Sequence, residues 1–200
     1  LGDVYKRQIL AGFVSLYHAK VFQKVEGHFS KLKIKGYRKA LYGAIPLAIL
    51  IFLFPTLFGE GYESIRILSA PNPEVLLDNT LLEDLKSKEW VLLLFVTLTM
   101  LIKAVATGLT LASGGNGGNF APSLFVGSYL GFIIAKFFNL IGFSHLPVAN
   151  FTLVGMAGIL SGLFHAPLTS IFLIAEITGG YNLMVPLMLV SSISLSLIHI

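Results

Sequence analysis

Residues Ser113–Pro122 read SGGNGGNFAP, with four glycines, two asparagines and one proline in ten positions. Glycine has no Cβ, so successive backbone N–H groups in such a stretch can face one point without side chains in the way. A helix starting at Phe120 adds its own unpaired N–H groups and the positive end of its dipole. Pro122 suits that first turn, where a missing N–H costs nothing. The chemistry these residue types can do together is anion binding by backbone partial charge, with no charged side chain. A lysine or arginine as ligand would hold the ion too tightly for passage, since transport requires that the ion also leave. The SGGNGGN stretch and the helix start at Phe120 together are therefore a candidate anion site. A phosphate-binding P-loop is excluded because no lysine follows Gly118, and the dinucleotide fingerprint fails because Phe120 stands where its third glycine belongs. A purely structural reading, glycines for helix packing or a simple re-entrant turn, stands beside the anion-site reading at this point.

The elements that must hold this stretch are apolar. It lies between WVLLLFVTLTMLIKAVATGLTLA and SLFVGSYLGFIIAKFF, in a chain of 200 residues that is 55% hydrophobic and 12% charged. Soluble domains carry about 25% charge, so the composition points to an integral membrane protein. A broken helix at membrane depth is tolerated only where its loose backbone lines a cavity or is buried in protein. With no cysteine, disulfides and thiolate metal sites are excluded.

Hydropathy and turn residues divide the rest. Ile9 to about Phe29 reads as the end of a long helix, and KLKIKGYRK as a basic turn. Leu41–Phe58 reads as an apolar helix that Pro46 and Pro55 bend or end. Gly59–Lys88 is the one extended polar region, and its acidic bias places it across the membrane from the basic segment. Trp90–Ala112 is the strongest span, with Trp90 as an interfacial anchor. Lys103 lies inside it, either in a contact within the protein or snorkelling to the interface. Phe120–Phe143 is the next helix. In the run that follows, HAP breaks the sequence into two half-helices, about Phe151–Phe164 and Ala166–Thr178, and a last apolar segment starts near Tyr181. Glycines recur four apart at Gly114/Gly118, Gly127/Gly131 and Gly158/Gly162, a spacing that permits close helix packing in lipid. Period-two alternation is absent, so no strands are expected.

Nine of the fourteen basic residues fall in the first forty positions: Lys6, Arg7, Lys20, Lys24, Lys31, Lys33, Lys35, Arg38 and Lys39. No nucleic-acid recognition motif accompanies them, and the positive-inside rule makes Lys20–Lys39 a cytoplasmic loop. Residues 1–8 do not fit the periodicity that begins at Ile9, and SLSLIHI stops within a hydrophobic segment. The expected division is a non-native tail over 1–8, a partial transmembrane domain over 9–190, and a non-native or truncated tail over 191–200.

GGNFAPSLFVGSYLG, with GMAGILSGLFHAPLTSIFLIAEITGGYNLMVPLM, resembles the CLC family of chloride channels and chloride/proton antiporters. The first segment matches the family's GxFxP filter motif at Gly118, Phe120 and Pro122. The second matches its half-helix pair near the dimer interface, with the APL break at Ala166–Leu168. GEGYESI also resembles a family segment between two spans. The likeness covers roughly Ile9 to Val190, the C-terminal half of the family's membrane domain.

The resemblance implies an all-α, polytopic membrane bundle of broken helices, half of an inverted-repeat transport domain. It implies backbone amides of Asn119 and Phe120 on a central chloride, Gly118 and Ala121 shaping the turn, and Pro122 starting the helix. Asn119 departs from the aliphatic residue common there; its carboxamide either adds a ligand or faces away. The family's GSGIP-like and GxEGP-like loops do not occur in these residues, and the proton glutamate and central tyrosine belong elsewhere in the family's domain. Glu176 is expected to be structural or interfacial rather than a proton carrier, and His165 a helix-end contact rather than a ligand. The expected partners are chloride, the lipid bilayer and a second copy through the 151–190 helices, with no nucleic acid and no cofactor. The expected location is the bacterial inner membrane, and no enzyme chemistry is expected. Other readings of the same residues are a secondary transporter for another small anion, built from discontinuous helices, and a non-transporting membrane scaffold.

Overall fold

The computed structural model describes residues 2–32, 35–78, 80, 82–86, 88–142 and 145–199. Leu1, Lys33, Phe143 and Ile200, on which parts of the tail, basic-segment and helix-end expectations fell, lie outside them. The described residues form eight α-helices and no strand: α1 Gly2–Lys31, α2 Gly36–Leu53, α3 Tyr62–Ser69, α4 Glu89–Ala112, α5 Phe120–Leu140, α6 Val148–Phe164, α7 Pro167–Ile177 and α8 Met184–His199. Of these, α2, α4 and α5 are long and apolar enough to cross a membrane; α6, α7 and α8 are apolar but shorter.

The prolines and glycines act much as their chemistry dictates. Pro55 follows the end of α2 and opens a short 3-10 turn, while Pro46 is carried inside the helix. Between α6 and α7, His165 takes a left-handed conformation (φ 55°, ψ 31°) as the C-terminal cap, and Pro167 occupies the first turn of α7. The expected two half-helices are thus present, and His165 is the residue on which the chain turns.

Two expectations change. Lys20–Lys39 is not a loop: α1 remains helical to Lys31 and α2 begins at Gly36, so only residues 32–35 separate them. The lysines are spread on helix ends, which offer charge to solvent without breaking backbone hydrogen bonds. Gly59–Lys88 is not merely polar either. YESIRILS is amphipathic, and α3 buries Ile65 and Leu68 while the following turn buries Leu76 and Leu77.

The core is built around α5 and α6, which pack backbone to backbone. A Cβ on Gly127 would lie 2.6 Å from Met156 Cα and 2.7 Å from Gly155 O. Gly131 faces Phe151 and Thr152 in the same way, and Gly155 faces back onto α5. Gly158 and Gly162 admit α1 and α8, through Ala11 and Val190 at the first and Ser15 and Ser194 at the second. The Gly114/Gly118 pair has no such role, since nothing stands within 4 Å of a Cβ at either. Those two glycines belong to the break rather than to a packed face.

Without a hydrophobic difference between lipid and side chain, close contact of this kind carries helix association. We expect Gly127→Val to lower the stability of the intact protein by about 1–3 kcal/mol through overpacking, read as thermal unfolding in detergent. Gly27→Ala, with open space around its Cβ position, should leave the transition in place.

Candidate anion site at the start of helix α5

The chain descends α4, breaks at residues 113–119, and returns along α5. Lys136 Nζ near the end of α5 pairs with Glu89 Oε1 at the start of α4 at 2.9 Å, so the two helices run antiparallel. Sixteen residues back from Lys136, Phe120 lies about 24 Å of helix rise from that end. On α2, Gly43 packs against Ser113 and the Leu109 carbonyl, about 10 Å in from Gly36. The break thus joins the ends of α4 and α5 that lie opposite the Lys136–Glu89 pair, and its first residue packs partway along α2.

At the break, Gly114 takes φ 102° and its N–H still bonds Leu111 O, while Gly115 N–H bonds Thr110 O. From Asn116 to Ala121 no backbone N–H donates a hydrogen bond to another described group. Ser123 N–H reaches Asn119 O and closes the first helical turn, and Pro122 has no N–H. The amides at Phe120 and Ala121 are left open at the positive end of a 21-residue helix.

The start of α5 borders a cleft of about 550 Å³ whose walls include Gly117, Gly118, Phe120, Ala121 and Pro122. The opposite walls come from α2, from the Leu57–Tyr62 turn and from Lys103, Thr107 and Thr110 of α4. The Phe120 ring meets Phe164, the last residue of α6, at 5.9 Å. The break before α5 and the break after α6 therefore adjoin one another.

Lys103 resolves the choice that its position in the span left open. It is 2% exposed and does not snorkel. Its ammonium donates to Leu57 O and Gly59 O, both at 3.0 Å, and lies 4.6 Å from the centre of the Phe125 ring. Gly59 (φ 67°) and Gly61 (φ 85°) are left-handed, a conformation that lets GEG turn tightly over the lysine. Phe125 in turn stacks on buried Tyr129 at 3.9 Å. A formal positive charge thus borders the cleft, held by carbonyls and a ring face. Glu60 lines the same cleft.

Asn119 is not among the walls of the cleft. Its side-chain Oδ1 lies 2.9 Å from Nε2 of His18 on α1. The carboxamide faces away from the cleft, and Asn119 contributes backbone to the bend.

The sequence profile described as voltage gated chloride channel matches residues 8–198. The chain belongs to this family. It is 32% identical over 193 residues to chloride channel protein CLC-e of Arabidopsis thaliana, covering 90% of this chain and 25% of that protein. It is 29% identical over 172 residues to a putative chloride channel protein, ClcB-like, of Ralstonia nicotianae, covering 84% and 35%. It is 30% identical over 182 residues to the H(+)/Cl(-) exchange transporter ClcA of Klebsiella pneumoniae, covering 90% and 34%. The chain therefore spans a quarter to about a third of the length of these relatives.

Within this CLC-family chain, the five candidate residues 118–122 lie together at one helix start, and the helix break sits where the residues placed it. His18 and the role of Lys103 escaped the sequence reading. A histidine inside the apolar run AGFVSLYHAKVF was the available signal for the first. Glu176 is exposed near the end of α7, away from the cleft's walls.

Lys103→Met would strand the Leu57 and Gly59 carbonyls. A hydrogen bond to a charged group contributes about 1.5–3 kcal/mol, and we expect a loss of that order in the thermal unfolding of the intact protein.

Proposed function

We propose that this chain supplies part of the anion pathway of a membrane-embedded chloride transporter. In this reading chloride binds the open amides of Phe120 and Ala121, with the Asn119 amide at the bend. Gly118 allows the approach and Pro122 starts the helix without adding a competing donor. The observation that carries the reading is the set of unpaired amides at the start of α5, after a glycine-rich break that borders a cleft and packs partway along α2. In an environment without water to satisfy them, such amides need a partner, and the helix dipole makes a negative one favourable. The relatives named as chloride channels and H(+)/Cl(-) exchange transporters point the same way, toward chloride.

Mechanistically, the site works by partial charge. Each open N–H replaces part of the ion's hydration, and no bond to the ion is strong enough to trap it. Lys103 raises the potential of the cleft while its donors are committed to carbonyls. The step is diffusion or exchange of an ion, and no covalent chemistry is involved. Whether the movement is passive or coupled to protons separates two arms of one experiment: chloride flux in liposomes with and without a proton gradient. A gradient that drives chloride uphill selects exchange.

Three further proposals go with this reading. The basic ends of α1 and α2 face the cytoplasm by the positive-inside rule, in a bacterial inner membrane. A second copy packs against the 151–190 helices, where Leu168, Phe172, Ile177, Val185 and Met188 are exposed. No cofactor takes part.

Phe120→Pro deletes one filter amide at a position, the first of the helix, where proline is accommodated. An amide–anion hydrogen bond of about 1.5–3 kcal/mol corresponds to roughly ten- to hundred-fold weaker chloride binding. We expect chloride flux from liposomes to fall by that order while expression and dispersity survive. Unchanged flux from an intact variant removes this amide from the pathway.

A further inference from the structure

Asparagine immediately before a helix ordinarily turns its side-chain oxygen back onto the amide two or three positions on, capping the helix itself. Asn119 holds that position for α5, with its backbone at φ −89° and ψ −5° rather than in the extended conformation of a capping residue. The third residue of the helix is Pro122, with no N–H, so Ala121 offers the one amide such a cap could use. Yet the Asn119 side chain makes no bond to its own helix. Its Oδ1 sits 2.9 Å from His18 Nε2, across 101 positions of sequence. A carboxamide oxygen only accepts, so Nε2 carries the hydrogen and donates it.

His18 itself is completely buried. Its other ring nitrogen, Nδ1, has no hydrogen-bond partner among the described residues. Burying a polar ring atom unpaired opposes folding, so histidine is a poor choice merely to fill this space. What the imidazole does provide is a rigid donor aimed at Asn119.

We propose that His18 is a positioning residue for the anion site. By holding Asn119 Oδ1 on the α1 side, it prevents the carboxamide from capping Ala121, and leaves that amide for the passing ion. The inference rests on the anion-filter reading above and adds a specific device to it. An asparagine in a filter would otherwise compete with the anion as an internal ligand of the same amide.

The test is apparent chloride affinity in liposome flux, measured on the intact protein. His18→Leu frees the carboxamide to cap, and a capping bond of ordinary strength predicts about a five-fold loss of affinity. His18→Gln retains a side-chain N–H donor and should stay near wild type. The double variant His18→Leu/Asn119→Ile should recover to within about two-fold, because isoleucine cannot cap. A merely structural histidine would leave the double variant as impaired as the single one. Should His18→Leu fail to assemble, His18→Asn, polar but too short to reach Oδ1, carries the same comparison. Unaltered affinity in these variants, or no recovery in the double variant, overturns the inference while the filter reading stands. A wild-type protein that moves no chloride overturns the filter reading, and the inference with it.

Discussion

A backbone amide within a bilayer has no water to turn to, and that constraint organises this chain. The helices satisfy their interior amides along their own turns, and α5, like α6 and α7, begins with amides that no described group accepts; what sets α5 apart is the glycine-rich break before it and the cleft beside it. Everything around that start serves to keep it open and in place. The Lys136–Glu89 pair fixes how far α5 runs along α4. The packing of Gly43 against Ser113 fixes the end of α4 from the other side. Between these two anchors the glycine-rich segment needs no packing partner of its own, and Gly114 and Gly118 have none.

The α5–α6 contact supplies the rigidity that an open helix start cannot. Gly127, Gly131 and Gly155 bring two backbones together along the helices just beyond the site. Dense packing of this kind resists shear, since interiors respond to small volume changes with strain rather than flow. Phe120 then leans on Phe164 at the end of α6, so the same packed pair sets both the direction of α5 and the position of its first side chain. Local looseness at the break is compatible with a fixed site because it is flanked by tightly packed helix.

Much of this was legible in residue types. The run lengths of apolar residues placed the helices, and Pro122 and the HAP triplet placed the breaks, because proline and glycine limit backbone conformation whatever the surroundings. The bare amides followed from a glycine stretch ending in a helix start. Partner choice across long separations was not legible. Lys103 has no acidic residue one turn away on α4, and its acceptors are carbonyls 46 and 44 residues back. The His18–Asn119 pair likewise depends on how α1 packs beside the start of α5. The basic segment carried two readings: the helix expected to about Phe29 runs to Lys31, whereas charge density read Lys20–Lys39 as one loop because lysines tolerate helix as readily as loop.

Lys103 on the cleft is an objection to the proposed filter of weak dipoles, because a free ammonium beside an anion would trap it. The geometry answers this objection. Two of the three ammonium donors are spent on Leu57 and Gly59 carbonyls, and the charge faces the Phe125 ring. A charge held that way acts at a distance, through the potential of a low-dielectric cleft, rather than as a ligand. In the proposed pathway, attraction over several ångströms raises the local concentration of anions, and binding at the amides is weak enough to reverse. Glu60 on the same walls tempers the field further. Separating the charge that attracts from the dipoles that bind is a physical solution to the demand that an ion both enter and leave, and this chain has the residues for each half of it.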